Sequence, residues 1–196
     1  GGSFEIDDDL EVWPLGEKVR IRGLQSHHLD EEKIQPGSRC AVNITGLSST
    51  DISRGNVLIK PKQWHLTKML DASLKVLDDL DHHVSRRGSF VAYFGSGEYP
   101  IRLRILGPNS IKPGSTGLVR LFTSKPLPLL PGDRFILRES GREETIGGGE
   151  VLDVDPIIKA SKAKPDRSIT RVIKERGWID VGELKLLTGE TIEPSV

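Results

Sequence analysis

The sequence predicts an all-β protein built from two small barrels, followed by a short helical segment. Short runs of alternating polar and apolar residues recur along most of the chain, and a period of two is typical of strands. The chain contains 21 glycines and 12 prolines, residues that favour turns and disrupt helices. After Pro156 the alternation ends and a helical pattern of apolar residues begins. These three observations set the fold class.

Composition excludes several classes of protein. The 196 residues include 28 basic and 28 acidic side chains, so a surface that binds nucleic acid everywhere is not expected, although a local basic patch is compatible. Cys40 is the single cysteine, which excludes a disulfide or a thiolate zinc site within one chain. No apolar run approaches the roughly 18 residues of a membrane span. The N-terminus is acidic and unlike a signal peptide, so we expect a cytoplasmic protein without a membrane partner.

The first region opens with a clear strand over residues 18–25. Three of its residues are expected to face the core: Val19, Ile21 and Gly23. His27 and His28 follow, and adjacent strand residues point to opposite faces, so the two imidazoles are poorly placed to share a metal ion. We therefore expect this histidine pair in a surface turn.

A Pro-Gly turn at residues 36–37 leads into a second strand over residues 38–44. Its apolar residues share the inward face: Cys40, Val42 and Ile44. Alternation places Arg39 on the opposite face, where its side chain is free to meet an anion. From the residues alone, Arg39 is more simply explained as an exposed strand arginine.

The second region carries a longer series of predicted strands. Their ranges are 69–80, 89–95, 101–106, 116–123, 133–138 and 146–154. The last two form a hairpin in which Phe135 and Leu137 face the core and Ile136 faces outward, around a polar turn at residues 139–144. Residues 147–149 are three consecutive glycines, which weaken a strand and indicate a bulge, a bend or a close backbone approach. Such bends are typical of the corners of small barrels.

The tail after Pro156 predicts two short helices. The first is capped by Asp166 or Ser168 and ends at Gly177, with one apolar face formed by Ile169, Val172 and Ile173. The second covers residues 181–187 and ends at Gly189. Five basic residues offer a face for phosphate, which a solvated linker explains equally well: Lys159, Lys162, Lys164, Arg167 and Arg171.

Two stretches closely resemble elongation factor Tu-like translational GTPases. The third-domain hairpin of that family is matched at Arg134, Phe135, Arg138, Glu139, Gly141, Arg142, Thr145, Ile146, Gly147 and Gly149. The second domain is matched at Pro36, Gly37, Arg39, Gly46, Asp51, Arg54, Gly55, Val57 and Leu58. Three glycines that run into residues 151–153, followed by a helical tail, are most similar to the selenocysteine-specific, SelB-type factors.

The resemblance implies a fragment of a larger protein. Residues 1–65 correspond to a partial second-domain barrel, residues 66–156 to a third-domain barrel and residues 157–196 to the start of a winged-helix domain. The family's nucleotide-binding domain has no counterpart, because no Gly-x4-Gly-Lys-Ser/Thr phosphate loop occurs in the sequence. GTP and Mg²⁺ are therefore expected in the intact protein, whereas this fragment is expected to hold no cofactor or metal, to carry no catalytic residue and to be inactive.

The resemblance also implies partners and site residues. The intact family member binds GTP, delivers selenocysteinyl-tRNA to the ribosome and reaches a messenger RNA hairpin through C-terminal winged helices. Arg39 holds the position that faces the aminoacyl pocket, where a permanently charged guanidinium suits an ionised selenolate. The turn that lies near the tRNA stem corresponds to Glu139, Ser140, Gly141 and Arg142.

Two other functions stay open on the sequence. One is a stand-alone module of β-barrels and a helix-turn-helix that binds nucleic acid without a GTPase. The other is a different translational GTPase, such as a general tRNA-delivering factor, although such factors end at the second barrel and lack the helical tail. An enzyme in its own right is disfavoured, because the sequence has neither a nucleotide loop nor a recognisable nucleophile motif.

Overall fold

A computed structural model describes residues 2–190, which divide into two units, one up to Gln63 and one from Trp64 onwards. Gly1 and residues 191–196, the last part of the predicted winged-helix segment, lie outside the described residues. Both units are mainly β-structure, which confirms the predicted fold class. The separate domain predicted for residues 157–196 stays a prediction.

The first unit is an open sheet. Its strands are β1 (Phe4–Glu5), β2 (Asp9–Trp13), β3 (Glu17–Ser26), β4 (Leu29–Glu31), β5 (Lys33–Ile34), β6 (Ala41–Thr45) and β7 (Val57–Ile59). The order β4-β3-β2-β7 forms the sheet, β6 also pairs with β3, and β1 pairs with β5. One small apolar core holds it together: Leu10, Val12, Val19, Ile21, Leu24 and Ile34. The sheet does not close on itself, in agreement with the incomplete first barrel that the sequence predicts.

Strand β3 changes its inward face part-way along. Ile21 pairs with Ile44 and Gly23 pairs with Asn43, so Arg22 is an extra residue at a bulge. The bulge shifts the alternation, and Leu24 becomes buried at 2% exposure while Gly23 is only half-buried. The prediction that Gly23 faces the core is therefore wrong by one position.

Strand β6 is shorter than the sequence suggests. It begins at Ala41, so the segment 38–40 runs into the strand without belonging to the ladder. The predicted inward residues Cys40, Val42 and Ile44 do pack against the core, but each is half-buried. The predicted phase is confirmed, and the predicted start at residue 38 is wrong.

The second unit contains a closed barrel. Its strands are β8 (Leu66–Val76), β9 (Val84–Ser85), β10 (Phe90–Phe94), β11 (Gly97–Leu106), β12 (Ser110–Ile111), β13 (Thr116–Pro128), β14 (Arg134–Glu139) and β15 (Glu144–Asp153). Six of them close in the order β10-β11-β13-β8-β15-β14, and β9 pairs with β12 outside the barrel. Antiparallel closure leaves no free edge in the barrel. Strand β8 ends at Val76, earlier than the predicted end at residue 80.

The hairpin of β14 and β15 has the predicted phase. Phe135 and Leu137 are buried, whereas Ile136 is 53% exposed. The glycines allow the close backbone approach that the sequence indicates. A Cβ at Gly149 would overlap the carbonyl oxygen of Ser73 and lie 2.8 Å from Cζ of Phe135. Strand β15 therefore passes β8 at a distance that only glycine permits at this position.

Two helices follow the barrel. Helix α1 (Ile169–Arg176) is capped by Ser168, and helix α2 (Val181–Thr188) is capped by Asp180 and ends at Gly189 in the left-handed conformation. They share one apolar cluster with the barrel through Val172, Leu184 and Leu187. Ile173, predicted on the buried face, is 40% exposed. Neither helix of the described residues has the length and apolar character that crossing a bilayer requires.

Two arginines, buried Arg120 and largely buried Arg171, join the barrel to the segment that follows it. Arg120 donates to both carboxylate oxygens of Asp71, at 2.6 and 2.8 Å, and to the carbonyl oxygen of Ile158 at 2.9 Å. Arg171 of α1 donates to Asp153 of the barrel at 2.8 Å. Arg171 is thus engaged inside the unit, and its predicted place on a phosphate-facing basic surface is wrong.

Candidate functional site

Arg39 lies in an exposed segment two residues before β6. The Ser26 hydroxyl donates a hydrogen bond to its carbonyl oxygen at 3.2 Å, which ties the segment to the end of β3. Arg39 lines an open depression of about 560 Å³ together with Gln25, His27, His28, Cys40 and Ala41. Its outward position agrees with the predicted alternation.

The two histidines form the connection between β3 and β4. His27 and His28 have φ angles of 52° and 67°, the left-handed conformation that a two-residue primed turn requires and that Asn-Gly usually supplies. The predicted surface turn is confirmed. Sequence reasoning missed that this turn forms a wall of the Arg39 depression, because the two segments approach only once β6 pairs with β3.

The Arg39 depression is suited to an anion. It combines one permanent cation with two imidazoles, and none of the described residues that line it is a carboxylate. Within residues 2–190 the Arg39 guanidinium has no hydrogen-bond or ion-pair partner, so its donors are available to a ligand. The same residues contain no group of three His, Cys, Asp or Glu side chains placed to hold a metal ion.

The second candidate site is the turn between β14 and β15. Glu139 ends β14, and the Ser140 amide donates to the carbonyl oxygen of Ser89 at 2.7 Å, which fixes the start of the turn. A Cβ added at Gly141 would meet no atom within 4 Å, so this part of the turn is open. The side chain of Arg142 is 51% exposed, and its Nε lies 3.8 Å from Glu139 Oε2, too far for a close hydrogen bond. The turn therefore presents a loosely held guanidinium to solvent.

His82 is a residue of this site that sequence reasoning missed. Its Nε2 lies 3.0 Å from Glu139 Oε2 and its Nδ1 lies 2.7 Å from Asp81 Oδ1. The hydrogen bond to Asp81 and, more weakly, that to Glu139 raise the pKa of His82, although partial burial and the nearby Arg142 oppose the shift. The contact with Glu139 spans 57 positions, so no local pattern points to it.

The chain and its fold can be compared with known proteins. Residues 70–157 match the family described as "Selenocysteine-specific elongation factor, beta-barrel domain". A selenocysteine-specific elongation factor of Desulfomicrobium baculatum is 26% identical over 95% of this chain and 32% of its own length. Residues 70–157 therefore carry a SelB-type β-barrel domain, and the chain is similar to the β-barrel domains of SelB-type translational GTPases. This confirms the resemblance inferred from the sequence, and the chain spans about a third of that SelB-type relative.

Elongation factor 1-alpha proteins are similar to a smaller part of the chain. An elongation factor 1-alpha of Pyrobaculum aerophilum is 25% identical over 79% of this chain and 39% of its own length. That of Staphylothermus marinus is 27% identical over 83% of this chain and 41% of its own length. The two factors therefore match a smaller share of the chain than the Desulfomicrobium protein does.

Solved structures agree on the fold of the SelB-type domains. The crystal structure of a bacterial selenocysteine-specific elongation factor EF-Sec superposes with a TM-score of 0.78 at 19% identity, over 98% of this chain and 32% of that chain. SelB from Methanococcus maripaludis in its apo form gives a TM-score of 0.65 at 17% identity, over 80% of this chain and 38% of that one.

Proposed function

We propose that this chain is the part of a selenocysteine-specific elongation factor that binds selenocysteinyl-tRNA. Joined to a nucleotide-binding domain, it delivers that tRNA to the ribosome. The observation that carries the proposal is the match of residues 70–157 to the SelB β-barrel family. The position of Arg39 in an anion-suited depression adds support from the first unit.

In this proposal Arg39 recognises the aminoacyl group. A selenolate is ionised at neutral pH, whereas the serine hydroxyl that replaces it in seryl-tRNA is neutral. A guanidinium forms stronger hydrogen bonds with an anion than with a neutral group. Arg39 therefore favours the selenocysteinyl ester over the seryl ester.

The test uses the intact factor and compares selenocysteinyl-tRNA with seryl-tRNA. We expect Arg39→Ala to weaken the binding of selenocysteinyl-tRNA more than the binding of seryl-tRNA. The difference in binding free energy should be about 1.5–3 kcal/mol, the range for a hydrogen bond to a charged group. Arg22→Ala is the matched control, because Arg22 is an exposed arginine at the bulge of β3 that does not line the depression. Equal weakening of both tRNAs by Arg39→Ala contradicts the assignment.

The turn at residues 139–142 is proposed to contact the tRNA stem. Arg142 is the member of this turn with a cationic group for phosphate, and its ion pairs at 3.7 and 3.8 Å are loose enough to be exchanged. Each neutralised phosphate contributes roughly 0.7–0.9 to the slope of log K against log salt concentration. Arg142→Ala should lower the tRNA slope of this chain by that amount, whereas Arg134→Ala, at the other end of β14, should not. An unchanged slope removes Arg142 from the interface.

GTP with Mg²⁺ is proposed to bind the intact factor outside this chain. Calorimetry of the isolated chain should show no saturable GTP binding, because the phosphate loop and its lysine are absent from the sequence. Binding at low micromolar GTP contradicts this division of labour. The messenger RNA hairpin is proposed to bind through winged helices that begin with α1 and α2.

A general tRNA-delivering factor is the second candidate, favoured by the elongation factor 1-alpha relatives. The helical tail and the 95% coverage by the Desulfomicrobium protein, against 79% and 83% for those relatives, support the selenocysteine-specific role. The comparison of the two aminoacyl-tRNAs separates the candidates. A general factor is expected to accept both esters with similar affinity.

A further inference from the structure

A row of charged side chains crosses four neighbouring strands of the barrel. Arg104 of β11 lies opposite Arg120 of β13, Arg120 opposite Asp71 of β8, and Asp71 opposite Asp153 of β15. Residues directly opposite one another on antiparallel strands share one face of the sheet. Asp71 pairs with Arg120, and Asp153 pairs with Arg171. Arg104, at the end of the row, is left without a carboxylate.

Arg104 also has a like-charged neighbour, because Arg120 stands directly opposite it, and such pairs are destabilising. Arg104 is exposed and lines a depression of about 240 Å³ with Arg86, Asn109 and Ser161. In the part of the chain that the structure describes, neither Arg86 nor Arg104 has an ion-pair or hydrogen-bond partner. None of the described residues that line the depression is acidic.

The wall opposite the strands is held in place by the linker to the helices. Arg120 donates to the carbonyl oxygen of Ile158 at 2.9 Å, which anchors the linker on the barrel. A turn follows, in which the Lys162 amide donates to the Lys159 carbonyl oxygen at 2.8 Å. The residues inside this turn line the depression: buried Ala160 and exposed Ser161. Arg104 at the end of the charged row and the linker turn therefore form the depression together.

We propose that this depression binds a phosphate-type oxyanion. Arg86 and Arg104 supply the two guanidinium groups, whose planar arrays of donors match phosphate oxygens. The Asn109 amide and the Ser161 hydroxyl supply neutral donors. The site shares no residue with the Arg39 depression or with the turn at residues 139–142, so it stands independently of the proposed function. The phosphate belongs either to free inorganic phosphate or to the backbone of an RNA.

The test uses the full chain with inorganic phosphate and, separately, with a tRNA transcript as probes. Arg104→Gln should lower the affinity for whichever probe binds by about tenfold, the effect of losing one charge-assisted hydrogen bond. Arg102→Gln is the matched control. Arg102 lies two residues away on β11, loses the same charge and is occupied over the ring of Phe122 at 4.4 Å, so a change within about twofold is expected.

The two probes separate the sources. Millimolar inorganic phosphate that binds wild type and is weakened by Arg104→Gln, but not by Arg102→Gln, identifies a free-anion site. No binding of inorganic phosphate, with the same selective loss for the transcript, identifies an RNA phosphate. Equal losses in the two variants, or no loss in either, overturn the proposal. Both arginines are exposed, and thermal unfolding of each variant checks that it folds.

Discussion

The two units are built from the same kind of strand and differ in closure. The first unit packs six buried apolar side chains beneath an open sheet. The second closes six strands into a barrel and extends its apolar cluster to two helices. Closure removes the free edges of a sheet, because its first and last strands pair with each other. The difference predicts a stable barrel and a first unit that opens more easily.

The units also treat charge differently. In the first unit, pairs such as Arg20 with Asp9 lie on the surface, where both side chains are more than half exposed. In the second, Arg120 and Asp71 are paired inside, with side chains 6% and 2% exposed. Burial raises the pKa of Asp71, and the hydrogen bonds from Arg120 act against that shift. The barrel therefore requires each of its buried charges to keep a partner, whereas the open sheet leaves charges such as Arg39 available to ligands.

The largest expected effect is that of a single methyl group at the point of closure. Gly149→Ala places a Cβ on the carbonyl oxygen of Ser73, which belongs to the backbone and cannot move aside. We expect a loss beyond about 5 kcal/mol in the free energy of unfolding, or no folded barrel. In the first unit, Gly23→Ala meets only the Cβ of Asn43 at 3.8 Å and should be nearly neutral.

Chemical denaturation of both variants measures this contrast. A Gly149→Ala protein as stable as Gly23→Ala would show that β15 does not pass β8 as closely as the structure indicates. It would also remove the reason for a glycine at position 149.

The next effect comes from the buried ion pair. Arg120→Met leaves the carboxylate of Asp71 buried without a partner and should cost about 3–5 kcal/mol. Arg20→Met removes an exposed partner and should leave stability almost unchanged, since exposed pairs contribute little. The double variant Arg120→Met with Asp71→Leu should recover most of the loss. A double variant as unstable as Arg120→Met alone contradicts the explanation by an unpaired carboxylate.

The smallest effect depends on pH. Hydrogen bonds to Asp81 and Glu139 favour the protonated imidazole and raise the pKa of His82. The contribution of His82 to the free energy of unfolding is therefore complete below the imidazole's unfolded-state pKa of about 6.5. It is lost as the pH rises through the raised pKa of the folded state. The stability difference between wild type and His82→Gln should be below about 1 kcal/mol and largest under pH 6. Denaturation curves at several pH values measure it, and a difference that grows with rising pH has the wrong sign.

Local patterns predicted the barrel hairpin well. Alternation placed Phe135 and Leu137 inside and Ile136 outside, because β14 has no bulge between them. The consecutive glycines predicted a close backbone approach, which the structure shows between β15 and β8. In β3 the same reasoning failed beyond Ile21, since the bulge at Arg22 is created by pairing with β6 and leaves no mark on the strand's own sequence.

Only part of the candidate sites could be predicted, because strand pairing brings some of their residues together. Alternation and the family pattern pointed to Arg39 and to the turn at residues 139–142. The contacts of His82 with Glu139, and the row from Arg104 to Asp71, join residues far apart in sequence. Such neighbours follow from strand order and register, which alternation along a single strand does not specify.

Native-state amide hydrogen exchange on the full chain tests most directly whether barrel closure makes the second unit more stable than the first. Strand amides of β8, β13 and β15 should open only with the global free energy of unfolding, because they lie inside the closed barrel. Strand amides of β2 and β3 should exchange through a lower-energy opening of the first unit. Equal opening free energies in β3 and β8 would contradict the account.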